Sequence, residues 1–371
     1  MLEFPLWKKI SLWALTLAAA ALALPSLAKV AGLPWPAGLP GPEVNLGLDL
    51  AGGSHLLLEA KADDVRAQRL TNMEETVRQL MRGAKPRIRI GDVSTADGKL
   101  SFMLENAADI DRARGLIEPV MQGQTSTREW DLSVVDGQRI VLTPTEAGLA
   151  QAINDAMASA TEVVRRRIDE LGTREPTIIR QGSTRIVVQV PGLQDPEALK
   201  NLLGQTAQLE FRLVDLNALP ENVQAGIAPP GSEIFPYAPG TPQEGRFEAV
   251  RRLGGIRGDS LTGAQAGVDP QTNQNIVNIT FDAQGGAKFA KLTTENVGKP
   301  FAIILDGKVL SAPVINEPII GGRAQISGNF TPESANNLAI ALRSGALPVP
   351  LHVVEERTVG PDLGADSIRK G

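Results

Sequence analysis

Few residues of this chain have the types and spacing that chemistry requires. The run from Gly47 to Ser54 (Gly-Leu-Asp-Leu-Ala-Gly-Gly-Ser) nearly fits a phosphate-binding loop, but Gly53 stands where lysine must be, and the residues after Ser54 read as strand rather than helix. Without the ammonium and a helix N-terminus, a phosphate there loses its main counter-charges. Asp49 has no His or second acid at a spacing that identifies a partner, and an Asp beside a Gly-Gly bend ordinarily bonds local backbone N–H groups. His55 and His352 fall on strands assigned to one sheet, where they read as ordinary strand residues rather than a pH sensor. Arg165, Arg166 and Arg167 would suit an anionic head group or an acidic partner. Glu162 with Arg166, Arg165 with Asp169 and Arg166 with Glu170 are, however, i,i+4 pairs on a predicted helix, so the triplet reads as a solvated face. The sequence holds no HExxH, no GxSxG and no metal-ligand spacing. Lacking Cys, it can form no disulfide, thiol nucleophile or thiolate metal site. No catalytic residue, cofactor or metal is expected, and the function is read as non-enzymatic.

Composition narrows the class further. A length of 371 residues fits two to three domains, and 42% hydrophobic with 21% charged residues is globular. The 37 Gly and 26 Pro imply short elements with many corners. A net charge of -5 and only 9 Phe, 4 Trp and 1 Tyr deny the basic field and stacking platforms that nucleic-acid binding needs.

The elements that must position any site begin with the uncharged run 10–28 after Lys8 and Lys9. As a helix it would reach roughly 28 Å, close to a bilayer core. Trp7, Trp13 and Trp35 sit at or near its ends as interfacial anchors would, and the lysines would hold residues 1–9 on the cytoplasmic side. A cleaved signal peptide fits equally, with Ser26 and Ala28 as small residues near the cleavage point. Either reading exports the remainder. Residues 29–42, with Pro34, Pro36 and Pro40, read as a stiff spacer.

Beyond the spacer, Leu46, Leu48 and Leu50 begin a strand that Gly52-Gly53 bends before it resumes over 55–59. Two rounds of α-β-β-α-β come next. The first has helices over 62–81 and 110–121, strands over 87–90 and 99–104, and turns at Asp97-Gly98 and Asp136-Gly137. The second opens with Thr143, Pro144 and Glu146 as a capping box and closes its long helix at Gly172. Strands over 177–180, 185–190 and 207–214 surround a short helix over 196–203. With the strand from Leu46, either round completes the ferredoxin-like order. Prolines 220, 229, 230, 236, 239 and 242 make 215–260 irregular and mobile. A second α+β unit spans 275–344, with Thr331 as cap and Pro332 at the first position of its last helix, facing Ala335, Leu338, Ala339 and Leu342 inward. A strand over 351–356 is expected to return to the first sheet. The second unit is then an insertion reached by crossings near 214 and 347, and two adjacent linkers make a hinge at Val214, Asp215, Leu347 and Pro348.

Three blocks, LGLDLAGG from Leu46, RRRIDELG from Arg165 and RIVVQVPG from Arg185, resemble the SecD/SecF family of protein-export subunits. Segments from Leu209 (LEFRLV), Ile303 (IILDGKV), Leu342 (LRSGALPVPL) and Val359 (VGPDLG) extend the match over nearly the whole chain. The resemblance implies an α+β protein whose segment 10–28 is retained as a membrane anchor. It implies a ferredoxin-like periplasmic base over 43–214, an inserted head over 215–347, a return strand over 348–358, and an approach to a second membrane helix over 359–371. It further implies a proton-motive-force-driven role in late translocation, beside SecF, the SecYEG channel, YajC and unfolded preproteins at the bacterial inner membrane. Gly47, Asp49, Gly52 and Gly53 become the candidate functional loop, although Ala51 stands where that family often has a polar or basic residue. Sequence-tolerant clasping needs an apolar groove or a strand edge, which Phe281, Phe289, Phe301 and Phe330 could line, with core packing as their competing fate. On this resemblance the proton path lies in segments outside the chain. The competing readings are a soluble periplasmic binding protein or chaperone released by signal cleavage, and an exported enzyme using Asp49.

Overall fold

The computed structural model describes residues 7–8, 10–17, 20, 52–123, 127–172, 176–193, 195–252 and 254–359. Most of the expected anchor, the spacer, Gly47, Asp49 and the approach 360–371 lie outside them. Among the described residues no helix is long and apolar enough to cross a membrane.

The first sheet has the order β17-β1-β7-β6 and is antiparallel throughout. Its strands are β1 (Gly53–Glu59), β6 (Thr177–Gln181), β7 (Arg185–Pro191) and β17 (His352–Val359). Helices α3 (Glu146–Glu170) and α4 (Pro196–Gly204) complete a β-α-β-β-α-β path with the last strand beside the first, and His352 pairs with Glu59 as a returning strand requires. Leu56, Leu58, Val164, Ile168, Val188 and Leu347 are among its core residues.

A separate sheet is spliced between β1 and α3. Its order is β2-β3-β5-β4, from β2 (Ile90–Ser94), β3 (Leu100–Leu104), β4 (Trp130–Val135) and β5 (Arg139–Pro144). Helix α1 (Ala62–Gly83) carries the chain there, since Val65 packs in the first core while Leu70, Met73, Val77 and Met81 pack in the second. Helix α2 (Ile110–Ile117) closes that core with Ile117 against Phe102 and Ile140. Segment 43–214 thus holds two sheets rather than one. Strand β2 begins three residues later than its apolar pattern suggests. The α3 cap is Thr145, whose hydroxyl accepts from Gly148 N–H, because Thr143 and Pro144 are still paired with Asp131 and Trp130 in β5.

The third unit comprises the sheet β11-β8-β14-β15, the sheet β12-β13-β16 and the hairpin β9-β10. The strands are β8 (Leu209–Leu213), β9 (Ser232–Pro236), β10 (Phe247–Arg251), β11 (Ile256–Arg257), β12 (Leu261–Val268), β13 (Asn275–Phe281), β14 (Phe301–Leu305), β15 (Lys308–Ser311) and β16 (Arg323–Phe330). Its helices are α5 (Pro220–Gln224), α6 (Ala283–Glu295) and α7 (Pro332–Ser344), the last with Thr331 capping as expected. Two expectations are corrected. Segment 215–260 is built into α5 and three strands, with Pro220 at a helix start and Pro236 at a strand end where a missing N–H costs little. Strand β8, expected in the first sheet, instead pairs with β14 and β11, because Phe211 joins the aromatic core of the third unit.

Candidate functional site at the neck

Because β8 belongs to the third unit, the outgoing crossing is Gln205–Gln208 and the returning one is Gly345–Leu347. Each is a sharp bend: Ala207 has φ of 55°, unusual for a residue with a Cβ, and Gly345 has φ of 97°. The two strands of the neck are stitched together. Leu347 N–H donates to Thr206 O at 2.8 Å, and Gln208 Nε2 donates to Leu347 O at 3.3 Å. Asp306, in the β14-β15 turn, accepts from Thr206 Oγ1 at 2.5 Å, from Gln208 N–H at 2.7 Å and from Ala207 N–H at 3.2 Å. Those bonds hold the Ala207 bend in place.

Arg167 of α3 lies beneath both crossings and is 0% exposed. Nη1 donates to Leu202 O at 2.8 Å and also to Gln205 O, Nη2 donates to Gly345 O at 3.3 Å, and Nε donates to Ser344 Oγ at 3.3 Å. Burial lowers its pKa to about 10, against a smaller opposing pull from Asp306. One buried cation therefore collects acceptors from α4, from the outgoing crossing and from the end of α7. Beside it, Arg343 Nη2 meets Glu170 Oε2 at 2.5 Å and Arg343 Nη1 donates to Ala264 O at 3.1 Å, joining α7 and β12 to the end of α3.

The third unit also touches α1, and here the contacts are ionic. Arg252 Nη1 lies 2.9 Å from Glu74 Oε1, Arg257 pairs with Glu75, and Arg252 Nε lies 2.9 Å from Glu233 Oε1. A cleft of about 480 Å³ lined by Glu75, Gln79, Arg252 and Arg257 opens between the two units.

The expected site residues are dispersed. Arg167 is the correction to the solvated arginine face, and its neighbour Arg166 keeps the expected exposed pairing with Glu162 at 3.3 Å. Val214 bridges Val250, and Asp215 accepts from Ser232 Oγ at 2.6 Å, so both lie inside the third unit rather than at a crossing. The hydroxyl of Ser232 and the N–H of Asn217 hold the Asp215 carboxyl below its usual range. Leu347 is at the neck and fully buried. Pro348 comes directly after it. Phe281, Phe289 and Phe301 are buried with Phe211 as an aromatic core, ring centroids 4.9 to 5.8 Å apart. Phe330 alone lines an opening, a cleft of about 700 Å³ shared with Gln243, Asn273, Asn275, Leu310 and Asn329, where β15 and β16, each the last strand of its sheet, converge. Of the glycine loop, Gly52 and Gly53 are described, with φ of 67° and 140°. A Cβ on Gly53 would lie 2.4 Å from Val190 O, which explains glycine there by close backbone approach. His55 meets Gln189 at 3.2 Å and His352 meets Asp64 at 3.2 Å, so the two histidines do not act together. Among the described residues no acidic or histidine cluster could hold a metal.

Comparison with known proteins agrees along the chain. Family models described as "SecD/SecF GG Motif", "Protein translocase subunit SecDF, P1 domain, N-terminal" and "SecDF, P1 head subdomain" match residues 37–64, 157–216 and 232–349. The chain is 39% identical over 374 residues to the protein translocase subunit SecD of Rickettsia bellii, covering 100% of this chain and 68% of that protein. It is 40% identical over 346 residues to the SecD of Syntrophobacter fumaroxidans, covering 91% of this chain and 64% of that protein. A crystal structure of SecDF in a super-membrane-facing form is 28% identical with a TM-score of 0.50, covering 95% of this chain and 36% of that one. The chain thus spans about two thirds of the length of these SecD relatives.

Proposed function

This chain belongs to the SecD family of protein translocase subunits, and from that premise we propose that it is the extracytoplasmic lever of an accessory translocation subunit anchored in the bacterial inner membrane. The first two sheets form a periplasmic base, and the third unit is a head that engages emerging, unfolded preprotein beside SecF and the SecYEG channel, with YajC as a further partner. The observation that carries this reading is the Phe330 cleft. Val309 of β15 is already bridged to Tyr237, so what the cleft offers an extended backbone is the outer edge of β16 and the amide side chains of Gln243, Asn273 and Asn329, which suits a client of arbitrary sequence. The chemistry is mechanical rather than catalytic. A proton crossing 100 mV of membrane potential yields roughly 2.3 kcal/mol, against a domain stability of about 5 to 15 kcal/mol. Such energy tilts a head about a neck and leaves the head folded.

The test is export itself. Inner-membrane vesicles depleted of the endogenous subunit should regain proton-gradient-dependent late translocation when the full-length protein carrying this chain is restored. Gln243→Arg with Asn329→Arg, which fills the cleft with charge from two exposed positions, should abolish that gain. Full export by the double variant would refute the assignment of the cleft.

A further inference from the structure

A buried arginine is costly, and a fold retains one where its five N–H groups find acceptors that nothing else could satisfy. Among the described residues no carboxylate touches the guanidinium. Its acceptors are three backbone carbonyls and one hydroxyl, drawn from both strands of the neck and from α4. Carbonyls at the end of a helix carry partial negative charge, and Leu202 and Ser344-Gly345 lie at the ends of α4 and α7. Two helix C-termini and one crossing therefore converge on a single cation, which a hydrophobic residue of equal volume would leave unsatisfied. The packing around it agrees: α3 lies against α7, and α4 against both.

We propose that Arg167 is the positioning residue of the neck, a pin that holds both crossings to the base helix so that the head pivots about this point and not about Val214-Asp215. The inference rests on the head-and-base reading above. It implies that the crossings cannot slide along α3 while the pin is in place. Loss of the pin should leave a folded head whose placement relative to the base is no longer fixed.

The absence of Cys lets two spin labels be placed without background. With Ser159→Cys on α3 and Gln271→Cys beyond β12 in the full chain in detergent, electron–electron distance measurement should give one narrow distribution for the parent. Arg167→Lys, which keeps the charge but not the fork, and Arg167→Met should widen it about two-fold or more, Met the more strongly. Ser344→Ala, which removes one acceptor, should widen it slightly. Should Arg167→Met fail to fold, Arg167→Lys and Ser344→Ala decide. A lower melting temperature with an unchanged distribution would show a merely structural arginine and overturn the proposal. Because the distance needs no export, this failure is distinct from failure of the translocation assay.

Discussion

The head meets the rest of the molecule twice, and the two contacts are built from opposite physics. At the neck a buried guanidinium and two helix ends satisfy one another away from water, while the exposed Asp306 carboxylate holds the outgoing crossing from the outside. Against α1, Arg252 and Arg257, 36% and 46% exposed, reach Glu74, which Arg78 shares, and Glu75, which is 36% exposed beside an open cleft. Buried polar networks are lost as a unit and cost dearly when broken, whereas exposed ion pairs are worth about 0 to 1 kcal/mol each and fade with salt. One contact is therefore suited to stay and the other to let go. On the proposed reading, a head held this way would swing on the first and be caught lightly by the second.

Four measurements bear on that contrast. Arg167→Ala leaves converging carbonyls unsatisfied in a buried site, and chemical denaturation should show a loss of about 3 to 5 kcal/mol. A loss below about 1 kcal/mol would mean water reaches the neck freely. Asp306→Ala removes three hydrogen bonds at the Ala207 bend and should cost about 2 kcal/mol, read as a lower melting temperature. At the α1 contact, reversing Glu75 to Arg should shift stability by no more than about 1 kcal/mol, yet loosen the head in a head-to-α1 distance measurement. Reversing Arg257 to Glu as well should restore the parent distance, and added salt should mimic detachment in the parent. The smallest effect concerns Asp215, whose carboxyl is held low by Ser232 and Asn217. A depressed carboxylate stabilises the fold above its unfolded pKa, and that contribution vanishes as pH falls through the lower folded value. Asp215→Asn should therefore flatten the acid limb of the stability–pH curve without moving the head.

Much of this was legible from the chain itself. Thr331-Pro332 marked a helix start, Asp136-Gly137 a hairpin and Gly172 a helix stop, because caps and positive-φ turns are decided by local chemistry. The return of 352–359 to the first sheet accords with the strand expected over 351–356. What was hidden depends on tertiary partners. Strand β8 fits either sheet by pattern, and only Phe211 meeting Phe281, Phe289 and Phe301 decides. Arg167 was masked by its flanking arginines, yet its spacing from Ala160 and Val163, seven and four residues earlier, places it on the buried stripe of α3. Helical periodicity was the available signal, and the charge run drowned it. The prolines of 215–260 suggested irregular chain because they break helical and strand periods, while Pro220 and Pro236 in fact sit at element ends.

A swinging head can be challenged outright by fastening it to α1 in the full-length protein with its partner subunit. A short bis-maleimide across Glu75→Cys and Arg257→Cys can join only those two positions of this chain, since it has no native Cys. If the head must leave α1 to work, proton-gradient-driven export stops when the link forms and continues when either cysteine is present alone. Export at the parental rate with the link quantitatively formed would contradict a head that moves.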